Sequence, residues 1–147
     1  VRPYWLLPVL LLLAGCERGF GITVSGPPDQ PVFELNKLKA FGVLAGPVPA
    51  IDSVSVLAEA SPGQLRQVWT ISRAASCAPT PRLRYGVTPP EYRTLTTPAP
   101  LVDNVVYRVS MSGCGFYGAV TFKILGGRIF QAQGNGDLPV HRVEAAH

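Results

Sequence analysis

The chain has 147 residues, of which 47% are hydrophobic and 15% charged, with a formal net charge of +4. That balance is too apolar for a disordered chain, and the length fits one domain rather than two. Fifteen Gly and fifteen Pro punctuate it so densely that long helices, and with them helical bundles, coiled coils and helical repeats, are excluded.

Tyr4 to Leu13 (YWLLPVLLLL) is one apolar run of ten residues with Arg2 as the only charge before it. A spanning helix needs about 20 apolar residues, so this run reads as the core of a secretory signal peptide, ending in small residues suited to cleavage. The end of that run and the three residues after it, Leu13-Ala14-Gly15-Cys16, resemble the lipobox of bacterial lipoproteins. The resemblance implies that residues 1–15 are removed and that the Cys16 thiol carries a diacylglyceryl group. It also implies that the freed amine is acylated in turn. Each buried CH₂ contributes about 0.8 kcal/mol, so such a group anchors the protein to a membrane without spanning it. Two features depart from the pattern: residue 1 is Val, and the basic leader is Arg2 alone. In this family an Asp after the Cys favours inner-membrane retention. Glu17 stands there instead, which implies an outer-membrane location facing the periplasm.

Removing residues 1–15 takes away Arg2 and lowers the charge from +4 to +3. No cluster of basic and aromatic residues accompanies that charge, so nucleic acid is not an expected partner. Cys77 and Cys114 are the cysteines left, an even number in a compartment that permits disulfides, and they are expected to pair. Closing a loop of this size stabilises by about 4 kcal/mol in the loop-entropy model. The rival readings, a metal pair or a reactive thiol, are weaker. There is no CxxC, and both histidines, His141 and His147, fall in the polar C-terminal tail.

From residue 16 to residue 30 the chain is rich in Gly, Pro and Ser and reads as a lipidated tether, with one short strand at Gly21 to Val24. Residues 31–131 are expected to form the folded domain, best supported over 51–130, and residues 132–147 a polar tail. Pro31 to Leu35 and Lys39 to Leu44 are short apolar pieces, followed by a turn-rich connector at Ala45 to Ala50. Beyond residue 51, apolar residues recur at every second position, the signature of half-buried strands. Val54 and Val56 define one strand; Leu65, Trp69 and Ile71 the next; Leu83, Tyr85 and Val87 a third. Val105, Tyr107, Val109 and Met111 form a fourth, and Phe116, Val120, Phe122 and Ile124 a fifth, with Tyr92 to Thr96 as a short sixth. Such spacing predicts an all-β fold, a small antiparallel β-sandwich in which Trp69, Tyr85 and Tyr107 face one core.

Trp69 on an early strand, Tyr85 on the next, and the Leu101/Tyr107/Val109 spacing resemble a fibronectin type III or immunoglobulin-like module over roughly Ile51 to Phe130. The resemblance implies a tyrosine corner, with the Tyr107 hydroxyl returning to upstream backbone. Asp103-Asn104 replaces the usual Gly or Pro of that turn. The same mapping puts Cys77 and Cys114 in loops at one pole, the latter in a tight hairpin within Ser112 to Gly118.

Catalysis needs a nucleophile beside a base, paired carboxylates or a metal cluster. Glu59, Glu91 and Asp103 are scattered, and no G-x-S-x-G elbow exists, so neither an enzyme nor a cofactor or metal is expected. Arg66, Arg73, Arg82, Arg84, Arg93 and Arg108 outnumber Glu91 and Asp103 between residues 66 and 108. Arg82, Arg84, Arg108 and Lys123 are expected to share one open face that docks an acidic envelope protein or an anionic envelope polymer. Two functions follow: a tethered binding or scaffolding module, or an inhibitor or immunity-type lipoprotein presenting the Cys114 to Gly118 tip.

Overall fold

A computed structural model describes residues 18–36, 39–40 and 44–132. The signal segment, Cys16, Glu17, His141 and His147 lie outside the described residues. Every regular element among them is a strand. The N-terminal half holds β1 (Arg18–Gly19), β2 (Ile22–Ser25), β3 (Val32–Leu35), β4 (Lys39–Ala40), β5 (Leu44–Ala45), β6 (Ala50–Ile51), β7 (Ser53–Ser61) and β8 (Gln64–Arg73). There follow β9 (Ala78–Pro79), β10 (Arg82–Arg84), β11 (Tyr92–Thr96), β12 (Val106–Gly113), β13 (Phe116–Leu125) and β14 (Arg128–Gln131).

The fold is an all-β sandwich. One main sheet runs β1-β13-β12-β7-β8-β11, with β14 also on β13; the opposed one runs β10-β3-β2, and β4-β5 and β6-β9 form two further two-stranded pairs. β1 pairs parallel to the start of β13 and β14 antiparallel to its end, so both lie on the same outer edge. Alternation decides what each sheet buries. Val54, Val56, Trp69, Ile71, Tyr107, Val109, Met111 and Phe122 of the larger sheet are fully or almost fully buried, and Phe33, Leu35 and Leu83 of the smaller sheet meet them in one core. Rings interlock across the layers: Phe33 lies 6.1 Å from Phe122, and Trp69 meets Tyr85 edge-on at 5.3 Å. Trp69, Tyr85 and Tyr107 thus share the core that the period-two pattern assigned them.

Tight turns set the register. Gly126-Gly127, both at positive φ, close β13 onto β14, and Pro62-Gly63, with Gly63 at φ 79°, closes β7 onto β8. Tyr107 also forms its corner: its hydroxyl accepts from the Val102 N–H at 2.6 Å and donates to the Val102 carbonyl at 3.3 Å.

Four expectations need correction. Residues 18–25 are not a spacer: Phe20, Ile22 and Val24 are buried, and the segment starts on the larger sheet and crosses to the smaller. Leu65 is not a core residue but 44% exposed. The ladder slips beside Val56, which faces Trp69 while Leu57 faces Gln67, so Val68 is the extra residue of a bulge and the phase of Leu65 is inverted. Val87 is also exposed, because β10 ends at Arg84 and Gly86, at φ 76°, turns the chain before Val87. Finally, the Tyr85 strand belongs to the smaller sheet, not beside the Tyr107 strand.

Candidate functional site

That last correction redistributes the cations. Arg82 and Arg84 stand on the outer face of β10, opposite Glu34 and Val32 of β3. Arg108 and Lys123 stand on the outer face of β12 and β13, in the other sheet. The sheets pack inner face to inner face, so the four cations form two pairs on opposite sides and share no face. Alternation tells which side of a strand a residue occupies but not which strand lies next to it. Each pair also has an acid within reach. Arg82 lies 3.9 Å from Glu34, both half-exposed, and Arg108 lies 3.3 Å from Glu59. Exposed pairs of this kind contribute at most about 1 kcal/mol.

Between the Arg108 row and the end of the larger sheet, the outer face carries small hydroxyls. Ala119, Ser110, Ser55 and Thr70 stand abreast, and next to them Tyr117, Ser112, Ser53, Ser72 and Arg93. Across this row Ser55 Oγ and Thr70 Oγ1 lie 3.5 Å apart.

Several constraints converge at the pole at the end of that row. Gly113 pairs with Phe116, and the two residues between them, Cys114 and Gly115, both have positive φ (47° and 78°), the mark of a type I′ hairpin. A disulfide joins Cys114 to Cys77 in the loop after β8, with Cα atoms 6.1 Å apart. Sequence reasoning put both cysteines at one pole, and they are bonded there. Asp52 packs so closely on Gly113 that a Cβ at 113 would stand 2.5 Å from the Asp52 nitrogen. Beneath the loop, the Tyr92 hydroxyl lies 3.2 Å from the Ile51 carbonyl and 3.3 Å from Thr80 Oγ1, and the Arg73 guanidinium sits 6.0 Å over the Tyr92 ring. The Arg18 N–H donates to the Gly115 carbonyl at 2.7 Å, and the Phe20 N–H to the Tyr117 carbonyl at 3.0 Å. The chain therefore enters the fold at the disulfide pole.

At the opposite pole, a shallow open groove of about 250 Å³ is lined by Asp29, Gln30, Tyr85, Gly86 and the Pro98-Ala99-Pro100 strap. Its one phenol is committed: the Tyr85 hydroxyl donates to the Ala99 carbonyl at 2.6 Å, with the Val68 carbonyl at 3.2 Å. Burial, and secondly the neighbouring Tyr107, push its ionisation up to about 12, so it serves as a structural donor rather than an acid or nucleophile near neutral pH. No group of three His, Cys, Asp or Glu suited to a metal occurs among the described residues.

Sequence reasoning missed Gln131. Its side-chain amide accepts from the Val24 N–H at 2.7 Å and donates to the Ile22 carbonyl at 2.8 Å, imitating a strand partner and tying β14 to the edge of β2 across the two sheets. A lone Gln at the end of a strand carries no sequence signal for such a role. Fold and surfaces together define a small, disulfide-closed β-sandwich. Comparison with known proteins finds no matching family model, curated protein or solved structure.

Proposed function

We propose that this chain is a lipid-anchored envelope lipoprotein whose sandwich is a non-catalytic binding or scaffolding module. The observation that carries the reading is the Cys77–Cys114 disulfide, a bond suited to an oxidising compartment, in a chain whose leader resembles a lipoprotein signal. Cys16 is the acylated residue in this reading, and Glu17 directs it to the outer membrane, facing the periplasm.

The finer fold in this proposal is fibronectin type III-like. The Tyr107 corner supports it, as does the division of strands, with β2, β3 and β10 opposed to β7, β8, β12 and β13. The tyrosine hydroxyls of the two poles have structural roles, in keeping with a non-catalytic module. The Tyr85 and Tyr107 hydroxyls are both spent on backbone, and Tyr92 is held by Thr80 and Ile51. The inhibitor reading gains less support, because the Cys114 tip is a two-residue turn pinned by the disulfide and lies beside the entry of the chain rather than protruding as a free loop.

The test is metabolic labelling of producing cells with a clickable palmitate analogue. Label and membrane association lost in Cys16→Ser support the reading; label that persists undiminished in Cys16→Ser contradicts it.

A further inference from the structure

The position of Arg18 constrains any anchor upstream of it. Arg18 lies opposite Phe116 and Gly19 opposite Tyr117, at the disulfide end of β13. Cys16 is two residues before Arg18, and two residues of chain reach at most about 7 Å. No tether is available to lift the domain away from a lipid held on Cys16. β13 runs ten residues from Phe116 to Leu125, about 30 Å at the strand rise, so one end of the sandwich is near such a lipid and the other is far from it.

Resting on the anchoring proposed above, we infer that the disulfide pole is a lipid-docking surface: the Gly113–Tyr117 hairpin, with Arg18 and Arg93, sits against the bilayer headgroups and the sandwich stands upright on it. The chemistry of the pole fits that occupant. Tyr117 is 47% exposed on the outer face beside Gly19, an aromatic body with a polar tip of the kind that settles at the headgroup level. Arg93 is exposed and ends the row that runs from Tyr117 to Ser72, while Arg18, exposed as well, stands opposite Phe116 at the same pole in the other phase of β1; both are within reach of lipid phosphates there. Among the described residues two acids also lie at this pole, and in the sequence Glu17 stands between Cys16 and Arg18. Asp52 is turned in against Gly113, while Glu91 is exposed and opposes the cations, so contact depends on the anchor as well as on charge. The pole is also stiff enough to transmit the orientation, since the disulfide, the turn at Cys114-Gly115 and the Arg18 to Gly115 hydrogen bond all fix it to β13. The groove at Asp29 and the turn at Pro62-Gly63 then project away from the membrane.

The experiment uses the acylated protein purified from membranes and reconstituted in phosphatidylethanolamine/phosphatidylglycerol vesicles, part of whose lipid is brominated near the top of the acyl chain. Tryptophan replaces Tyr117 or Arg93 at the disulfide pole, or Leu125 at the other end of β13; Trp69, fully buried, is the constant background. Fluorescence at Tyr117→Trp and Arg93→Trp should be quenched at least about two-fold and shifted to the blue, and that at Leu125→Trp left unchanged. Intact mass of the same samples reports Cys16. An acylated Cys16 with equal quenching at both ends, or quenching at Leu125→Trp alone, overturns the orientation and leaves the anchor standing. An unmodified Cys16 overturns the anchor and the docking surface together.

Discussion

The ring of Phe20 occupies the space that a side chain at Gly118 would need: a Cβ there would stand 2.5, 2.7 and 2.7 Å from three of its carbons. Phe20 is 8% exposed, so Gly118 is what lets the first described residues lie flat across β13 before crossing to the smaller sheet. Gly118→Ala should lower stability by about 1–3 kcal/mol through overpacking. Adding Phe20→Ala should return part of that loss, because the two residues contend for one space. Urea unfolding of the single and double variants measures the coupling; strictly additive losses would contradict the contact.

The disulfide should be worth about 4 kcal/mol by loop closure over a separation of 37 residues. Position 114 adds a backbone effect, because Cys114 has φ 47°, where a side chain costs about 1–2 kcal/mol that glycine avoids. The pair Cys77→Ala/Cys114→Gly should therefore unfold at higher urea than Cys77→Ala/Cys114→Ala. The reverse order would contradict the positive φ at the hairpin.

Tyr85 makes stability depend on alkaline pH. Its folded ionisation is raised from 10.0 to about 12, so the unfolded chain loses this proton first. The stabilisation is complete below pH 10 and is lost as pH rises from about 10 to about 12, a fall of at most about 3 kcal/mol once solvent screening is allowed for. In Tyr85→Phe that fall should disappear, while stability at neutral pH drops by about 1 kcal/mol with the bonds to Ala99 and Val68 gone. Thermal unfolding across this range, followed with the wild type, gives both quantities.

Tyr107→Phe should cost about 1–3 kcal/mol, because the Val102 N–H and carbonyl both lose their partner at the turn into β12. Amide exchange should quicken at Val102 more than at Val109, which stays in the ladder between β7 and β13.

What could be read from the sequence followed from a physical period. In β7, β12 and β13 an uninterrupted alternation put Val54, Val109 and Phe122 on the buried side, and all three are there. The cysteines were legible because their loops flank strands that the pattern located. Alternation failed where backbone geometry broke it: the bulge at Val68 inverts the phase of Leu65, and nothing in QLRQVWTISR marks the slip. It failed again at partner choice, since Arg82 and Arg84 face outward from a strand that pairs with β3, a long-range contact with no local sign. The composition of residues 18–25 concealed their place in both sheets, because Gly19 and Gly21 serve the crossing between layers as readily as they would a flexible spacer.

The proposed lipid on Cys16 is checked by intact mass spectrometry of the protein extracted from producing bacterial membranes. The expected mass is that of a polypeptide beginning at Cys16 that carries a diacylglyceryl group and an amide-linked acyl chain, with Cys77 and Cys114 two hydrogen atoms lighter as the disulfide. A chain that retains residues before Cys16, or that begins at an unmodified Cys16, would contradict it.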